Sequence, residues 1–195
     1  YISIPSIREL ELYVSSDFKW TSTERMAFGQ LLKEVPLDLF YLNMSRGAPY
    51  PDFSLGARGR ILSHTIHSLV SASVVALPYH RNLNRYDIPH LCSSLVLYQS
   101  EGVRGGTSET DLLRTINNHP FITFFATNDP QLADVIPLLV KPKRIVCTFQ
   151  PDEAICKVKG DLTVREGLGV EELISLAYQY TKLGVDHLQE PTDGD

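Results

Sequence analysis

Residues 121–132, FITFFATNDPQL, are the part of the sequence most informative about the fold. Residues 121–126 are aromatic, β-branched or small and apolar, a composition that favours a buried strand. Asp129 suits the residue that caps the start of a helix, and Pro130 suits the first helical position. A buried strand that leads directly into a helix is typical of a parallel sheet covered by helices.

The same alternation of strand-like and helix-like segments extends along the chain in both directions. The predicted strands cover residues 10–14, 37–42, 94–99, 121–126 and 144–149. The predicted helices cover residues 21–35, 60–77, 109–118, 130–139 and 170–183, with Pro137 expected to kink or shorten the fourth. We therefore predict an α/β fold, a Rossmann-like three-layer sandwich with a mainly parallel central sheet.

The pattern changes after Gln150, where we place a boundary. Residues 1–150 are predicted to form the α/β body. Residues 151–195 are predicted to be a small appendage packed on it: a hairpin over 154–158 and 162–165, the helix over 170–183, and a frayed tail. Because the chain begins with Tyr1 rather than Met, we expect it to be a piece of a longer protein.

Composition and charge restrict the classes of function. The chain has 18 basic and 23 acidic residues, a net charge of -5, which disfavours nucleic-acid binding through bulk charge. Two local groups of basic residues fit either a solvated surface or, as the alternative, an RNA-binding groove. They are Arg46, Arg58 and Arg60, and Lys141, Lys143 and Arg144. No apolar run is long enough to span a bilayer, so no membrane partner is expected.

The three cysteines, Cys92, Cys147 and Cys156, are an odd number without metal-binding spacing. They argue against a disulfide framework and a cysteine zinc cluster. We therefore expect an intracellular protein, cytoplasmic or nuclear.

Acidic residues supply the main candidates for chemistry. Asp129 follows a predicted strand, and the carboxyl ends of parallel strands are where ligands bind in open α/β sheets. Asp111, with Glu109 beside it, starts the preceding predicted helix, and Asp17 follows the first strand. Carboxylates that converge at one sheet edge can hold Mg²⁺ and support metal-assisted phosphodiester hydrolysis.

Residues 126–132, ATNDPQL, resemble the T-N-D-x-x-L segment of PIN domains, which follows a strand and opens a helix. The order of elements over residues 108–149 is similar to the C-terminal half of that family. The resemblance implies a PIN-like ribonuclease dependent on Mg²⁺ or Mn²⁺, with water as the nucleophile. It implies Asp17, Asp111 and Asp129 as catalytic residues and metal ligands, with Glu109 as a further ligand.

Each candidate also has a purely structural interpretation. Asp129 is a good helix cap, Asp111 fits a capping arrangement with Ser108, and Asp17 fits an ordinary turn. The glycine-rich residues 102–108 are typical of a flexible connector, with phosphate binding as the alternative. His64 and His67 are three residues apart, but no third zinc ligand is evident. We therefore interpret them as partly buried histidines, with a zinc site as the alternative.

Two functions follow as hypotheses. In the first, the domain is an active single-stranded RNA endonuclease dependent on Mg²⁺ or Mn²⁺. In the second, which we favour, it is a pseudoenzyme that binds other protein subunits in a larger, RNA-processing assembly without a cofactor. The net acidity and the departure of residues 15–17 from the PIN pattern favour the second, with residues 170–183 and 48–53 as docking elements. A nucleotide-binding domain is a weaker third alternative.

Overall fold

A computed structural model of the chain describes residues 8–17, 36–48, 71–79, 83, 87–100, 109–151 and 158–183. These residues contain seven β-strands, two α-helices and two single-turn 3-10 helices. The strands are β1 (Glu9–Val14), β2 (Pro36–Met44), β3 (Ser71–Tyr79), β4 (Ser94–Gln99), β5 (Phe124–Thr127), β6 (Arg144–Cys147) and β7 (Asp161–Val164). The helices are α1 (Glu109–Asn117), η1 (Pro130–Leu132), η2 (Ile136–Leu138) and α2 (Val170–Leu183).

The seven strands form one sheet in which every neighbouring pair is parallel. Their spatial order is the order of the chain, from β1 to β7. Because crossovers between parallel strands are almost always right-handed, connections in such a sheet are expected on one face. The opposite face then needs a separate cover, since parallel sheets are buried on both sides.

Two hydrophobic cores lie on the two faces of the sheet. The first joins alternate strand residues to the connections: Leu95, Leu97, Phe125 and Ile145 with Leu112, Ile116, Leu132 and Ile136. The second joins the other strand residues to α2: Tyr41, Val96, Phe124 and Ala126 with Leu173, Ile174, Ala177 and Tyr180. Connections, sheet and α2 make three layers, which confirms the predicted α/β sandwich.

The predicted helix over residues 60–77 is wrong from residue 71 onward, because Ser71–Tyr79 is β3. Residues 60–70 lie outside the part of the chain that the structure describes. Val75 and Leu77 enter the first core, whereas Val74 and Ala76 enter the second. A strand buried on both faces has a continuous apolar run, so its period of two is hidden in the sequence.

The α-helix predicted after Asp129, with a kink or shortening at Pro137, is wrong in type, because the chain forms two separate 3-10 turns, η1 and η2. Pro137 lies within η2 and has no N–H to continue an α-helix, which explains the interruption. The connection from β5 to β6 is therefore short and irregular. Its residues still bury the apolar side chains that the helical pattern predicted, Leu132, Val135, Ile136 and Leu139.

The segment after Gln150 contributes to both the sheet and its cover. β7 pairs in parallel with β6 and extends the sheet formed by the first 150 residues. The predicted hairpin partner, residues 154–158, lies mostly outside the described residues. α2 has the predicted bounds and packs on the face of the sheet away from α1.

Candidate functional site

Asp129, the central residue of the predicted site, lies at the carboxyl end of β5 and is 2% exposed. Its Oδ1 accepts the N–H of Gln131 at 2.9 Å and caps η1. Its own N–H donates to Thr127 Oγ1 at 3.0 Å. Burial raises the pKa of the carboxyl group, and the hydrogen bond from Gln131 opposes that rise. The residue therefore acts as a buried cap.

Asn128, in the same segment, bridges two strands. Its Oδ1 accepts the backbone N–H of Gln99 at 2.6 Å, which ties the end of β5 to the end of β4. With Thr127 and Asp129, all three polar side chains of the T-N-D segment take part in hydrogen bonds within the protein. The segment thus has a complete structural role at this edge.

Asp17 is exposed and lies in the turn that follows β1. β1 and β5 are separated by four strand-to-strand steps in the sheet. At about 4.8 Å per step, their carboxyl ends are roughly 19 Å apart. A single cation cannot be shared by Asp17 and Asp129 across that span.

Asp111 is exposed in the first turn of α1, where its carbonyl oxygen accepts the Thr115 hydroxyl. Glu109 begins the same helix, and its side chain is outside the described part of the structure. Across the described ranges, no three His, Cys, Asp or Glu side chains form a group that could hold a metal ion. The structure therefore does not bring Asp17, Asp111 and Asp129 together.

The strand order removes a further reason to place a site at this edge. In open α/β sheets the ligand crevice opens where the strand order reverses. Between β1 and β7 the order never reverses. The carboxyl edge of the described sheet therefore has no such crevice.

The other buried reactive groups are occupied by structural contacts. Cys92 and Cys147 are buried, and each thiol donates to a backbone oxygen, of Ser94 and Phe149 respectively. Burial raises the pKa of Cys147 to about 11 and that of Cys92 further, so both thiols stay protonated and unreactive near neutrality. Cys156 lies outside the described residues.

A different surface stands out at the opposite, amino-terminal edge of the sheet. Among the described residues, five large apolar side chains are exposed, and four of them lie in the turns that precede β4, β5 and β6. We call this set the apolar edge: Leu91, Phe121, Leu138 and Val140. Each is between 47% and 56% exposed, and the fifth, Tyr13, lies on β1. Since the three strands are consecutive, the apolar edge spans roughly 10 Å of the sheet.

Two polar side chains hold the turns of the apolar edge in place. Asn117, at the end of α1, accepts the N–H of Val140 at 2.9 Å and donates to the carbonyl of Leu138 at 3.3 Å. His119 is 6% exposed, and its Nδ1 accepts the N–H of Phe121 at 3.1 Å. Its Nε2 lies 3.0 Å from the carbonyl of Pro89. These contacts fix the backbone from which the four apolar side chains project.

Backbone hydrogen bonds continue this rigid edge from strand to strand. The N–H of Thr123 donates to Ser93 O at 2.8 Å, and the N–H of Lys143 donates to Thr123 O at 2.7 Å. The N–H of Asp161 then donates to Lys143 O at 2.8 Å. The starts of β4, β5, β6 and β7 are therefore joined in one row.

Basic residues lie beside the apolar edge, at the starts of β6 and β7. We call these four the basic rim: Lys141, Lys143, Arg144 and Lys159. All four are exposed or partly exposed. The sequence pointed to the first three as a basic group, but not to the apolar residues next to them. Phe121 lies in the predicted strand over 121–126, Leu138 lies in the predicted helix over 130–139, and Val140 directly follows that helix. An apolar residue in such a position is expected to be buried, so the exposure of these three could not be predicted.

No known family model, curated protein or solved structure matches this chain. The resemblance to PIN domains therefore stays a prediction from residues 126–132. In the described part of the chain, no helix combines the length and apolarity needed to cross a membrane.

Proposed function

We propose that the chain is a non-catalytic protein-interaction module that binds a partner polypeptide at the apolar edge. The observation that carries the proposal is the concentration of Leu91, Phe121, Leu138 and Val140 on three adjacent turns. Exposed apolar residues that cluster on one surface are typical of interaction sites, whereas scattered ones are ordinary. The partner would be another subunit of a larger assembly.

The rigidity of the apolar edge supports the same function. Binding costs free energy whenever loops must be ordered, and a preorganised surface avoids part of that cost. Asn117 and His119 already hold the turns through backbone hydrogen bonds. A partner would therefore meet an apolar surface that needs little rearrangement.

The state of the acidic residues supports a non-catalytic function over a Mg²⁺- or Mn²⁺-dependent ribonuclease. Asp129 is buried and accepts a backbone N–H, and Asp17 is four strands away from it. Metal-assisted hydrolysis needs carboxylates that converge on one cation. The third alternative, nucleotide binding, depends on residues 102–108, which are outside the described residues.

A selection from a display library of random short peptides tests the interaction directly. We expect a family of peptides that binds the parent domain and loses binding to Phe121→Ser and to Leu138→Ser. Tyr13→Ser is the matched control, because Tyr13 is 60% exposed but lies on β1. About half of each of these side chains is already covered, so each substitution should cost about 1–2 kcal/mol. That is a small part of the roughly 5–15 kcal/mol by which a domain is stable, so all three variants are expected to fold. Peptides that bind all variants equally, or no peptides at all, would refute the interaction site.

An RNA-cleavage assay tests the non-catalytic part of the proposal. The domain is incubated with single-stranded RNA and Mn²⁺, beside Asp129→Asn. We expect no cleavage above the background shared by both proteins. Cleavage by the parent that disappears in Asp129→Asn would establish the nuclease instead.

A further inference from the structure

We infer that the partner segment is acidic as well as apolar: the apolar edge receives large apolar side chains while the basic rim receives carboxylates. This inference rests on the proposed function, because it names the chemistry of the partner at the same surface. The surface combines four half-exposed apolar side chains with four cations beside them.

The magnitude of apolar burial explains why charge is needed. The stabilisation from apolar burial is proportional to the apolar area removed from water. Each residue of the apolar edge is already about half covered, so docking can bury only the remaining half of each side chain. Four such gains are offset in large part by the cost of association. Specific binding at this edge therefore requires polar or charged contacts in addition.

The basic rim has unused capacity for those contacts. No ion pair joins Lys141, Lys143, Arg144 or Lys159 to an acidic residue in the described ranges. Arg144 Nη1 donates to Thr163 Oγ1 at 2.9 Å, whereas its buried Nε has no hydrogen-bond partner. Because that Nε is buried, an incoming carboxylate would meet the exposed or partly exposed side chains of Lys141, Lys143 and Lys159 instead. Asp161 is the strand partner of Arg144, so one exposed carboxylate lies beside the basic rim.

The charge of the rest of the chain strengthens the choice of an acidic partner. The chain as a whole carries a net charge of -5, whereas the basic rim is locally positive. An acidic segment is repelled by the net charge of the chain and attracted by the cations of the rim, which favours binding at the rim. A basic segment would be drawn to other parts of the surface.

The composition of the apolar edge favours a polypeptide over RNA. Single-stranded nucleic acid is bound by stacking its bases on aromatic side chains. Phe121 is the aromatic residue of the apolar edge, and the other three are aliphatic. Its ring lies edge-on to His90, with centroids 5.6 Å apart. Three aliphatic side chains suit Leu, Ile or Phe of a peptide better than a stacked base.

The peptide selection, extended by charge reversal, tests this inference. The parent domain and the double variant Lys141→Glu/Lys143→Glu are each presented with the same random library. We expect the parent to enrich Asp and Glu together with Leu, Ile and Phe, and the double variant to lose the acidic enrichment. Peptides selected on the parent are expected to bind the double variant at least tenfold more weakly, and to weaken with added salt.

Arg46→Glu is the matched control, because Arg46 is an exposed cation in the turn after β2, at the other edge of the sheet. It should leave both enrichment and affinity unchanged. Peptides that depend on Phe121 and Leu138 but carry no excess of acids would overturn this inference and leave the proposed function standing. Loss of every dependence on Phe121 and Leu138 would overturn both.

Two other occupants give distinct results. Uridine-rich single-stranded RNA that binds more tightly than the selected peptides, and is lost in Phe121→Ser, would assign the surface to nucleic acid. A dimer in analytical ultracentrifugation that Leu138→Ser dissociates would assign it to a second copy of the chain. Either result would overturn the acidic-peptide inference.

Discussion

At the scale of a single residue, burial and capping act on Asp129 in opposite directions. The hydrogen bond from Gln131 favours the ionised carboxylate, but burial disfavours it more and raises the pKa above the ordinary value of 3.8. A group whose pKa is higher in the folded state contributes its full stability below the unfolded value. That contribution is lost as the pH rises through the folded value. The ionised carboxylate therefore lowers stability at neutral pH.

Asp129→Asn and Asp129→Ala separate the two effects. The amide of Asn keeps an acceptor for the Gln131 N–H and removes the charge, so we expect Asp129→Asn to be more stable than the parent at neutral pH. The difference should vanish below pH 3.8, where the parent carboxyl is neutral in both states. Asp129→Ala lacks the acceptor and should be about 1 kcal/mol less stable than Asp129→Asn.

Urea unfolding across this pH range measures both differences. If the parent is more stable than Asp129→Asn at neutral pH, the carboxylate has a favourable charged partner. The same conclusion follows if Mg²⁺ stabilises the parent but not Asp129→Asn. Either outcome would restore Asp129 as a candidate ligand.

The T-N-D segment also shows how far single residues can be predicted from sequence. The capping role of Asp129 follows from its position before Pro130, because a cap involves only near neighbours in the chain. The bridge from Asn128 to Gln99 spans 29 residues and depends on which strands are adjacent. No local pattern encodes that adjacency, so the role of Asn128 was not predicted.

At the scale of the element, the entry to β7 depends on a close backbone contact. A Cβ atom on Gly160 would lie 2.5 Å from the carbonyl oxygen of Pro142, which leads into β6. Real Cβ atoms do not approach a backbone atom so closely, so β7 would have to shift along its pairing with β6. Glycine at this position lets β7 join the sheet.

Gly160→Ala is therefore expected to destabilise the protein by roughly 1–3 kcal/mol, the usual range for a side chain forced into filled space. Lys159→Ala, at the exposed neighbouring position, should change stability by no more than about 0.5 kcal/mol. Thermal unfolding of the two variants beside the parent measures the difference. Equal melting temperatures would mean that β7 is not held against the start of β6.

Elements differed in how well the sequence predicted them, for physical reasons. α2 has one apolar face against the second core and a polar face toward solvent, so its period was visible and its bounds were correct. β3 is buried on both faces and was mistaken in part for a helix. η1 and η2 carry a helix-like apolar pattern, but Pro137 prevents the α-helix that this pattern predicted.

At the scale of the whole molecule, α2 alone supplies the helical cover of the second core among the described residues. Tyr180 is 5% exposed, and its ring lies 5.1 Å from that of Phe124 on β5. Beside it, Thr181 Oγ1 lies 2.6 Å from the hydroxyl of Ser94 at the start of β4. The helix is thus fixed to the middle of the sheet.

Tyr180→Ala should cost about 3–5 kcal/mol, the range for removing a buried aromatic side chain. That is a large part of the roughly 5–15 kcal/mol by which a domain is stable. Gln179→Ala, exposed on the same helix, should be close to neutral. Urea midpoints of the two variants provide the comparison. A small loss in Tyr180→Ala would mean that the second core does not depend on α2.

The candidate surface was the least predictable feature at this scale. Three-layer packing follows from the alternation of element types, which the sequence displays. The apolar edge is defined by exposure, and Phe121 or Leu138 cannot be told from core residues until the ends of their elements are known. The sequence directed attention to acids at the carboxyl edge, whereas the structure directs it to the amino edge.

The order of the strands also has a consequence for how such a chain forms and grows. Each strand pairs with the one that precedes it in the chain, so β5 lies between β4 and β6. Every step closes only the loop between consecutive strands, which keeps the entropy cost of each step low. A further strand with its connection could be appended after β7 without rethreading any earlier segment. In the order of the chain, the sheet is thus extended by one strand at a time.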